Sequence, residues 1–152
     1  MDPRMKIKDF LAPSDVAIDV RARDKPGLLK DLAGRAASTL KLPTSIVVRE
    51  ILKRDELGST GIGGGVSIPH ARLREVKQPY GLLARLRQPI DFESIDGQPV
   101  DIVFLLLLPA SSQLEQLNAL AAVARKLRDP QLLRELRTAT TAAELFRRIR
   151  GA

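Results

Sequence analysis

The sequence contains one histidine, His70, which lies near the end of the stretch GSTGIGGGVSIPHARL between Gly58 and Leu73. Five of the ten glycines of the chain precede it in this stretch. Pro69 fixes its own φ and favours an extended conformation at Ile68, so the imidazole leaves the backbone in a restricted direction. A histidine with the reference pKa of about 6.5 is largely neutral at cellular pH. It can therefore attack phosphorus without a helper base, and phosphoryl transfer is the chemistry that suits it.

The histidine and the glycines both have structural interpretations as well. An isolated histidine is more often a surface residue or a hydrogen-bonded structural residue than a nucleophile. A glycine-rich loop either turns the chain or offers backbone N–H groups that an anion can approach closely, and this stretch does not fit the P-loop pattern. The candidate phosphate-binding positions of the loop are Thr60, Gly63, Gly64 and Gly65.

Phosphoryl transfer also needs positive charge near the reacting group. The reaction depends mainly on alignment and on neutralising the phosphoryl oxygens, which arginine does through paired hydrogen bonds. The arginines closest to the histidine in sequence are Arg49, Arg54, Arg72 and Arg74. Zinc needs several histidine or cysteine ligands, and the chain has no cysteine, so we expect no metal site. We also expect no cofactor.

Length and composition predict one globular domain, which we assign to residues 5–150 of the 152. The absence of cysteine is typical of a reducing cytoplasm. The N-terminus MDPRMKIKDF lacks the apolar segment of a signal peptide, and the longest apolar run, IVFLLLLPA, is too short to span a bilayer as a helix. We therefore expect a cytoplasmic protein that does not insert into the membrane.

The formal net charge of +7 raises the question of an anionic partner such as nucleic acid. The arginines are scattered between Arg21 and Arg150 and are interleaved with acidic residues. Aromatic residues make up 3% of the chain, too few for stacking on single-stranded nucleic acid. A solvated, arginine-rich surface explains most of the charge, so we expect no nucleic-acid partner.

The N-terminal part of the chain is predicted to contain one strand and two helices. The segment VAIDVRA alternates apolar and polar residues, as a half-buried strand does. Asp24 is a candidate N-cap for a helix that ends before Pro43. A second helix is predicted to begin with Thr44 or Ser45 as its cap and to stop near Gly58. The glycine stretch therefore follows the end of a helix.

The remaining segments predict a sheet that is covered by further helices. YGLLARLR alternates again, and PVDIVFLLLLP is a continuous apolar run, as expected of a central strand buried on both faces. Three helices are predicted to follow, with start signals at Ser112/Glu115 (a capping box), Asp129/Pro130 and Thr141/Glu144. We predict an α/β fold, a single-domain sandwich with a mixed β-sheet of about five strands and helices on both faces.

The stretch RDELGSTGIGGGVSIPHARL resembles the active-site signature of a known family, the enzyme IIA domains of the fructose/mannitol class in the bacterial phosphotransferase system. More closely, it is similar to the free-standing nitrogen-regulatory members. The likeness continues through PIDFESIDGQPVDIVFLLLLPA and extends from about Ile7 to Arg150. The combination of Arg-acid-x-Leu, Ser-Thr-Gly-Ile-Gly and Ile-Pro-His at these spacings is far more specific than a glycine loop alone.

The resemblance implies a role for individual residues. His70 would accept the phosphoryl group, on Nε2, from a small phosphohistidine carrier protein of the HPr type, and Arg54 would pair with the phosphoryl oxygens. Members usually carry a second histidine early in the helix after the central strand, where this chain has Gln116. Glutamine can donate a hydrogen bond but cannot titrate. Neighbouring helix residues lie about 100° apart, so only one of Glu115 and Gln116 can point straight into the site. We expect Gln116 to point inward and Glu115 outward, because a carboxylate would repel the phosphoryl group and an amide would not.

The resemblance implies a phosphotransferase component with a phosphohistidine intermediate and leaves two uses open. In one, phosphorylation controls binding to regulatory protein targets in nitrogen, potassium and carbon metabolism. In the other, the protein relays phosphoryl groups to a fructose- or mannitol-type sugar permease. The sequence contains no permease domain, which favours regulation. A protein that acts without being phosphorylated is a third interpretation.

Overall fold

The computed structural model describes residues 5–58 and 60–151, which form one mixed sheet with helices on both faces. The predicted α/β sandwich is confirmed, with six strands rather than about five among these residues. The strands are β1 Val16–Val20, β2 Gly61–Gly63, β3 Val66–Ser67, β4 His70–Leu73, β5 Tyr80–Ile90 and β6 Val100–Pro109. The helices are α1 Lys25–Leu40, α2 Thr44–Asp55, α3 Gln113–Lys126, α4 Pro130–Thr138 and α5 Ala142–Arg150. None of these described helices is both long and apolar enough to cross a membrane.

The continuous apolar run forms β6, the central strand of the sheet, as predicted. The strand order is β1-β5-β6-β3-β2, and β4 also pairs with β6, on the same side as β3. β5 is antiparallel to β6, whereas β3 and β4 run parallel to it. In this register, His70 lies opposite Leu106. β3 and β4 together act as one strand along β6 that is interrupted at Ile68 and Pro69.

The side chains of β6 alternate between two hydrophobic cores, as the period of two in a strand requires. Val103, Leu105 and Leu107 belong to the core that includes α1 and α2. Phe104 and Leu106 belong to the core that includes α3, α4 and α5. All five are fully buried. Because both faces of this strand are covered, its sequence is a continuous apolar run.

Most of the predicted helix starts are confirmed by side-chain caps. Asp24, Ser112, Asp129 and Thr141 each accept a backbone N–H from the first turn of the following helix. The hydroxyl of Ser112 accepts the N–H of Glu115 at 3.2 Å. The N–H of Ser112 donates to a backbone carbonyl rather than to the Glu115 carboxylate, so only one half of the predicted capping box forms.

Helix α2 differs from its prediction at both ends. Pro43 occupies the N-cap position, so the prediction that Thr44 or Ser45 caps this helix is wrong. The proline is extended, with φ −61° and ψ 128°, and its fixed φ leads directly into the first turn. At the other end, α2 stops at Asp55, and a turn separates it from Gly58.

Three short strands lie in the glycine-rich region, where no strand pattern is visible in the sequence. β2 and β3 form a hairpin whose turn includes Gly63, Gly64 and Gly65, all at positive φ. The carbonyl of Gly64 accepts a hydrogen bond from Arg137 of α4 at 2.6 Å. Arg137 also forms a salt bridge with Asp101 of β6 at 3.0 Å. This network ties the turn to α4 and to the start of the central strand.

Replacing Gly65 by alanine should destabilise the fold by about 1–3 kcal/mol. Its φ of +80° is unfavourable for alanine, and the new Cβ would lie 2.5 Å from Arg137 Nη2. Gly34 in α1 is the matched control, because a Cβ there meets nothing within 4 Å. Gly34→Ala should stabilise the fold by about 0.5–1 kcal/mol, since glycine weakens a helix interior. Urea unfolding followed by circular dichroism measures the free energy of unfolding of both variants. Equal values for Gly65→Ala and the wild type would contradict the role of the turn in holding the hairpin.

Candidate active site

A cavity of about 370 Å³ lies where the C-terminal part of α2, strand β4, the end of β6 and the first half of α3 meet. Its polar and charged lining consists of Glu50, Lys53, Arg54, His70, Arg72 and Gln116. Its apolar lining consists of Leu57, which follows α2, Ala71 of β4, Leu108 of β6 and Leu120 of α3. The fold therefore brings Arg54, His70 and Gln116 together, although Gln116 lies 62 positions after Arg54 in the sequence.

The imidazole of His70 is held by a backbone group two residues before it. Nδ1 lies 2.9 Å from the carbonyl oxygen of Ile68, and the side chain is partly buried. Because a carbonyl oxygen can only accept a hydrogen bond, Nδ1 is the protonated nitrogen. In the neutral ring Nε2 then carries the lone pair, and this is the nitrogen that can act as a nucleophile.

The surroundings keep this imidazole neutral. Burial lowers the pKa of His70 below its ordinary value, and the positive charges of Arg54 and Arg72 lower it further. The hydrogen bond to the Ile68 carbonyl acts in the opposite direction, since it favours the imidazolium, but burial is the larger effect. The lowered pKa therefore favours the neutral imidazole, the form that can act as a nucleophile, at cellular pH.

Arg54 lies in the last turn of α2 and is half-buried. Its Nη1 donates to the carbonyl of Gly58 at 3.2 Å, so the backbone that leaves the helix orients the guanidinium. This bond uses one of the five N–H donors of arginine. Other donors of the same group can bind an anion in the cavity.

Gln116 lies in the first turns of α3 and is 8% exposed. Its Nε2 donates to the carbonyl of Pro109 at 2.9 Å, which joins the helix to the end of β6. One N–H of the amide is engaged in this way, and one remains for another acceptor. Glu115 is half-buried and is not part of the cavity lining.

The glycine turn does not reach this cavity. The N–H of Gly64 is taken by Asp96 Oδ2 at 3.0 Å and its carbonyl by Arg137, so the backbone groups of Gly64 already have partners in the fold. Gly63 and Gly65 flank it in the same hairpin turn. The structure thus separates the candidate phosphate-binding glycines from the histidine and gives them a role in holding the hairpin.

Thr60 does not line the cavity either, but it contacts the segment that leads to the histidine. Its hydroxyl lies 3.0 Å from the Ser67 hydroxyl, and both side chains are buried. Its carbonyl accepts the N–H of Ile68 at 3.0 Å. Thr60 therefore helps to fix the residue whose own carbonyl orients the His70 ring.

Several features of the cavity have weak signals in the sequence. Lys53 precedes Arg54 on α2, and no pattern distinguishes it from a surface lysine. Arg72 is separated from the histidine by one residue, and strand alternation places both on one side of β4. Two other candidate arginines lie outside the lining: Arg49 pairs with Glu50 at 3.3 Å, and Arg74 is exposed beyond the end of β4.

A family model described as "Phosphoenolpyruvate-dependent sugar phosphotransferase system, EIIA 2" matches residues 9–151. The chain belongs to this EIIA type 2 family. It is 42% identical over 142 residues to the nitrogen regulatory protein of Bradyrhizobium diazoefficiens, covering 93% of each chain. It is 40% identical over 146 residues to the nitrogen regulatory protein of Escherichia coli K12, covering 95% of this chain and 90% of that one.

The structure of this EIIA type 2 chain also has a close match among solved structures. The nitrogen regulatory protein IIA-Ntr from Neisseria meningitidis superposes with a TM-score of 0.86 at 33% identity. The match covers 91% of this chain and 95% of the other. Members of this family are phosphotransfer components, and the match agrees with the family resemblance found in the sequence.

Arg54→Gln should raise the pKa of His70, because removing a nearby positive charge makes the imidazolium less unfavourable. Proton NMR reads this pKa directly, since the chain has one histidine. Arg74→Gln removes the same charge outside the cavity and should leave the pKa of His70 unchanged. Equal shifts in both variants, or a lowered pKa in Arg54→Gln, would contradict this electrostatic arrangement.

Proposed function

We propose that this chain is a phosphotransfer protein that accepts a phosphoryl group on Nε2 of His70 from a phosphohistidine carrier of the HPr type. The observation that carries the proposal is the 2.9 Å hydrogen bond between His70 Nδ1 and the Ile68 carbonyl. With the ring proton on Nδ1, the lone pair of Nε2 is available to phosphorus. Membership of a phosphotransfer family supports the same reaction class.

In the proposed step, the lone pair of His70 Nε2 forms a nitrogen–phosphorus bond while the phosphorus–nitrogen bond of the carrier breaks. The carrier imidazole leaves with the electron pair of the broken bond. The proton on His70 Nδ1 stays in place, and the Ile68 carbonyl stabilises the positive charge that develops on the ring. The step needs no external base, because the nucleophile is already neutral.

Arg54 is the proposed partner of the phosphoryl oxygens during transfer. Phosphoryl transfer passes through a loose transition state with negative charge on three oxygens, so a fixed cation stabilises it effectively. The guanidinium shares the cavity with His70, and its bond to the Gly58 carbonyl holds it there before the phosphoryl group arrives. A group oriented in advance does not have to reorganise during the reaction.

We further infer that phosphorylation controls binding to regulatory protein targets. The relatives at 42% and 40% identity both carry the name nitrogen regulatory protein. A phosphoryl group adds a charge of about −1.5 to −2 to a cavity whose described lining carries the positive charges of Lys53, Arg54 and Arg72 and one carboxylate, that of Glu50. Leu57, also in this lining, is 82% exposed and offers an apolar contact beside the charge. A partner protein that contacts Leu57 and the charged residues beside it can distinguish the phosphorylated from the unphosphorylated protein.

Incubation with labelled phosphoenolpyruvate, the first enzyme of the phosphotransferase system and an HPr-type carrier should place an acid-labile, base-stable label on the protein. His70→Ala should remove the label completely. Arg54→Gln should keep the thermal unfolding transition and slow transfer by roughly a hundredfold or more, the usual effect of losing an electrostatic contact to a charged transition state. Arg74→Gln should transfer normally.

The protein labelled in this way can also be used to distinguish a regulatory role from a role in sugar transport. Adding a fructose- or mannitol-type IIB acceptor should leave the label on the protein if its role is regulatory. Rapid onward transfer would favour a relay to a sugar permease. Labelling of His70→Ala would contradict the assignment of the phosphorylated residue.

A further inference from the structure

Arg72 lies beside the reactive histidine on β4. Residues two apart in a strand project to the same side, so Arg72 and His70 both face the cavity. Ala71 and Leu73, which alternate with them, are buried in the core that includes α1 and α2. The packing of these two residues therefore fixes the side to which Arg72 points.

The charge of Arg72 has no ion-pair partner among the residues that the structure describes. Within residues 5–58 and 60–151, no carboxylate or carbonyl forms an ion pair or hydrogen bond with its guanidinium. Arg54, by contrast, is held by the Gly58 carbonyl, and Arg49 pairs with Glu50. An exposed guanidinium that faces a partly buried histidine is thus free to bind an incoming anion.

The charge of Arg72 also acts on the histidine itself. Arg72 and Arg54 are the two positive charges that lower the pKa of His70. Lys53 lines the same cavity but is not among the causes of this shift. The orientation of the ring is set by Nδ1, which faces back toward Ile68, and the two ring nitrogens point to nearly opposite sides of the imidazole. Nε2 is therefore directed away from the Ile68 carbonyl.

We propose that Arg72 is a second phosphoryl-binding residue, whose guanidinium donates hydrogen bonds to the oxygens of the group on His70 Nε2. Arg54 would approach these oxygens from α2 and Arg72 from β4. The inference rests on phosphorylation of His70 as proposed above. Since Arg72 shares the strand with the modified residue, its contact persists after transfer and stabilises the phosphorylated product as well as the transition state.

The test uses the full chain phosphorylated in two ways, by the HPr-type carrier and chemically by phosphoramidate. Arg72→Gln should shift the equilibrium of transfer toward the carrier by about tenfold, the lower end of the range for a hydrogen bond to a charged group. It should also raise the pKa of the phosphoryl group, followed by phosphorus NMR, because a cation favours the dianion. The other charged groups that line the site, Glu50, Lys53 and Arg54, are unchanged in this variant.

Two further variants provide the controls. Arg74→Gln removes the same charge from the neighbouring exposed position and should match the wild type in both measurements. Arg72→Lys should recover the phosphoryl pKa in part, because lysine keeps the charge but loses the paired donors of arginine. If Arg72→Gln and Arg74→Gln give the same equilibrium and the same phosphoryl pKa, Arg72 does not bind the group.

The phosphoramidate arm separates this inference from the proposed function. If the carrier neither donates to nor accepts from the wild-type protein, phosphotransfer with an HPr-type partner is wrong. The phosphorus NMR titration of the chemically phosphorylated protein still decides whether Arg72 contacts the phosphoryl group. His70→Ala treated with phosphoramidate identifies the signal that belongs to His70.

Discussion

The chemistry of the site depends on one hydrogen bond, from His70 Nδ1 to the carbonyl of Ile68. The backbone on both sides of that carbonyl is held in the sheet, because the Pro69 carbonyl accepts the N–H of Leu106 in β6 at 2.9 Å and the N–H of Ile68 donates to the Thr60 carbonyl at 3.0 Å. The β3 and β4 segments on either side of the interruption are both paired with β6. The central strand therefore fixes the register of the histidine, the tautomer of its ring and the identity of its nucleophilic nitrogen.

The charges that line the cavity favour binding of an anion. Burial of the ring and the nearby charges of Arg54 and Arg72 lower the pKa of His70 and so favour the neutral imidazole. Among the described residues that line the cavity, Glu50 is the single carboxylate that faces these cations. In the proposed reaction, a phosphoryl dianion on His70 supplies this negative charge. In the proposed regulation, a partner detects that change of charge beside the exposed side chain of Leu57.

The sequence predicts the parts of this structure that depend on local patterns. The central strand and most helix starts follow from hydrophobic periodicity and capping residues. The family resemblance predicts that His70, Arg54 and Gln116 share one site, and all three line the same cavity. The short strands β2, β3 and β4 could not be predicted, because two to four residues become a strand here only through pairing with distant β6 or with each other. The contacts of the glycine turn could not be predicted either, because Asp96, which accepts the Gly64 N–H, is 32 residues away in sequence. The carbonyl that orients the ring is a main-chain group and leaves no signal in the sequence.

The most direct test of this arrangement is nitrogen NMR of the one histidine in the chain. Long-range proton–nitrogen correlation spectra, recorded above the pKa of His70, identify which ring nitrogen carries the proton. The spectra of the phosphorylated protein identify which nitrogen is coupled to phosphorus. A proton on Nδ1 in the resting state and phosphorus on Nε2 after transfer are the expected results. A proton on Nε2, or phosphorus on Nδ1, would contradict the role of the Ile68 carbonyl in selecting the nucleophile.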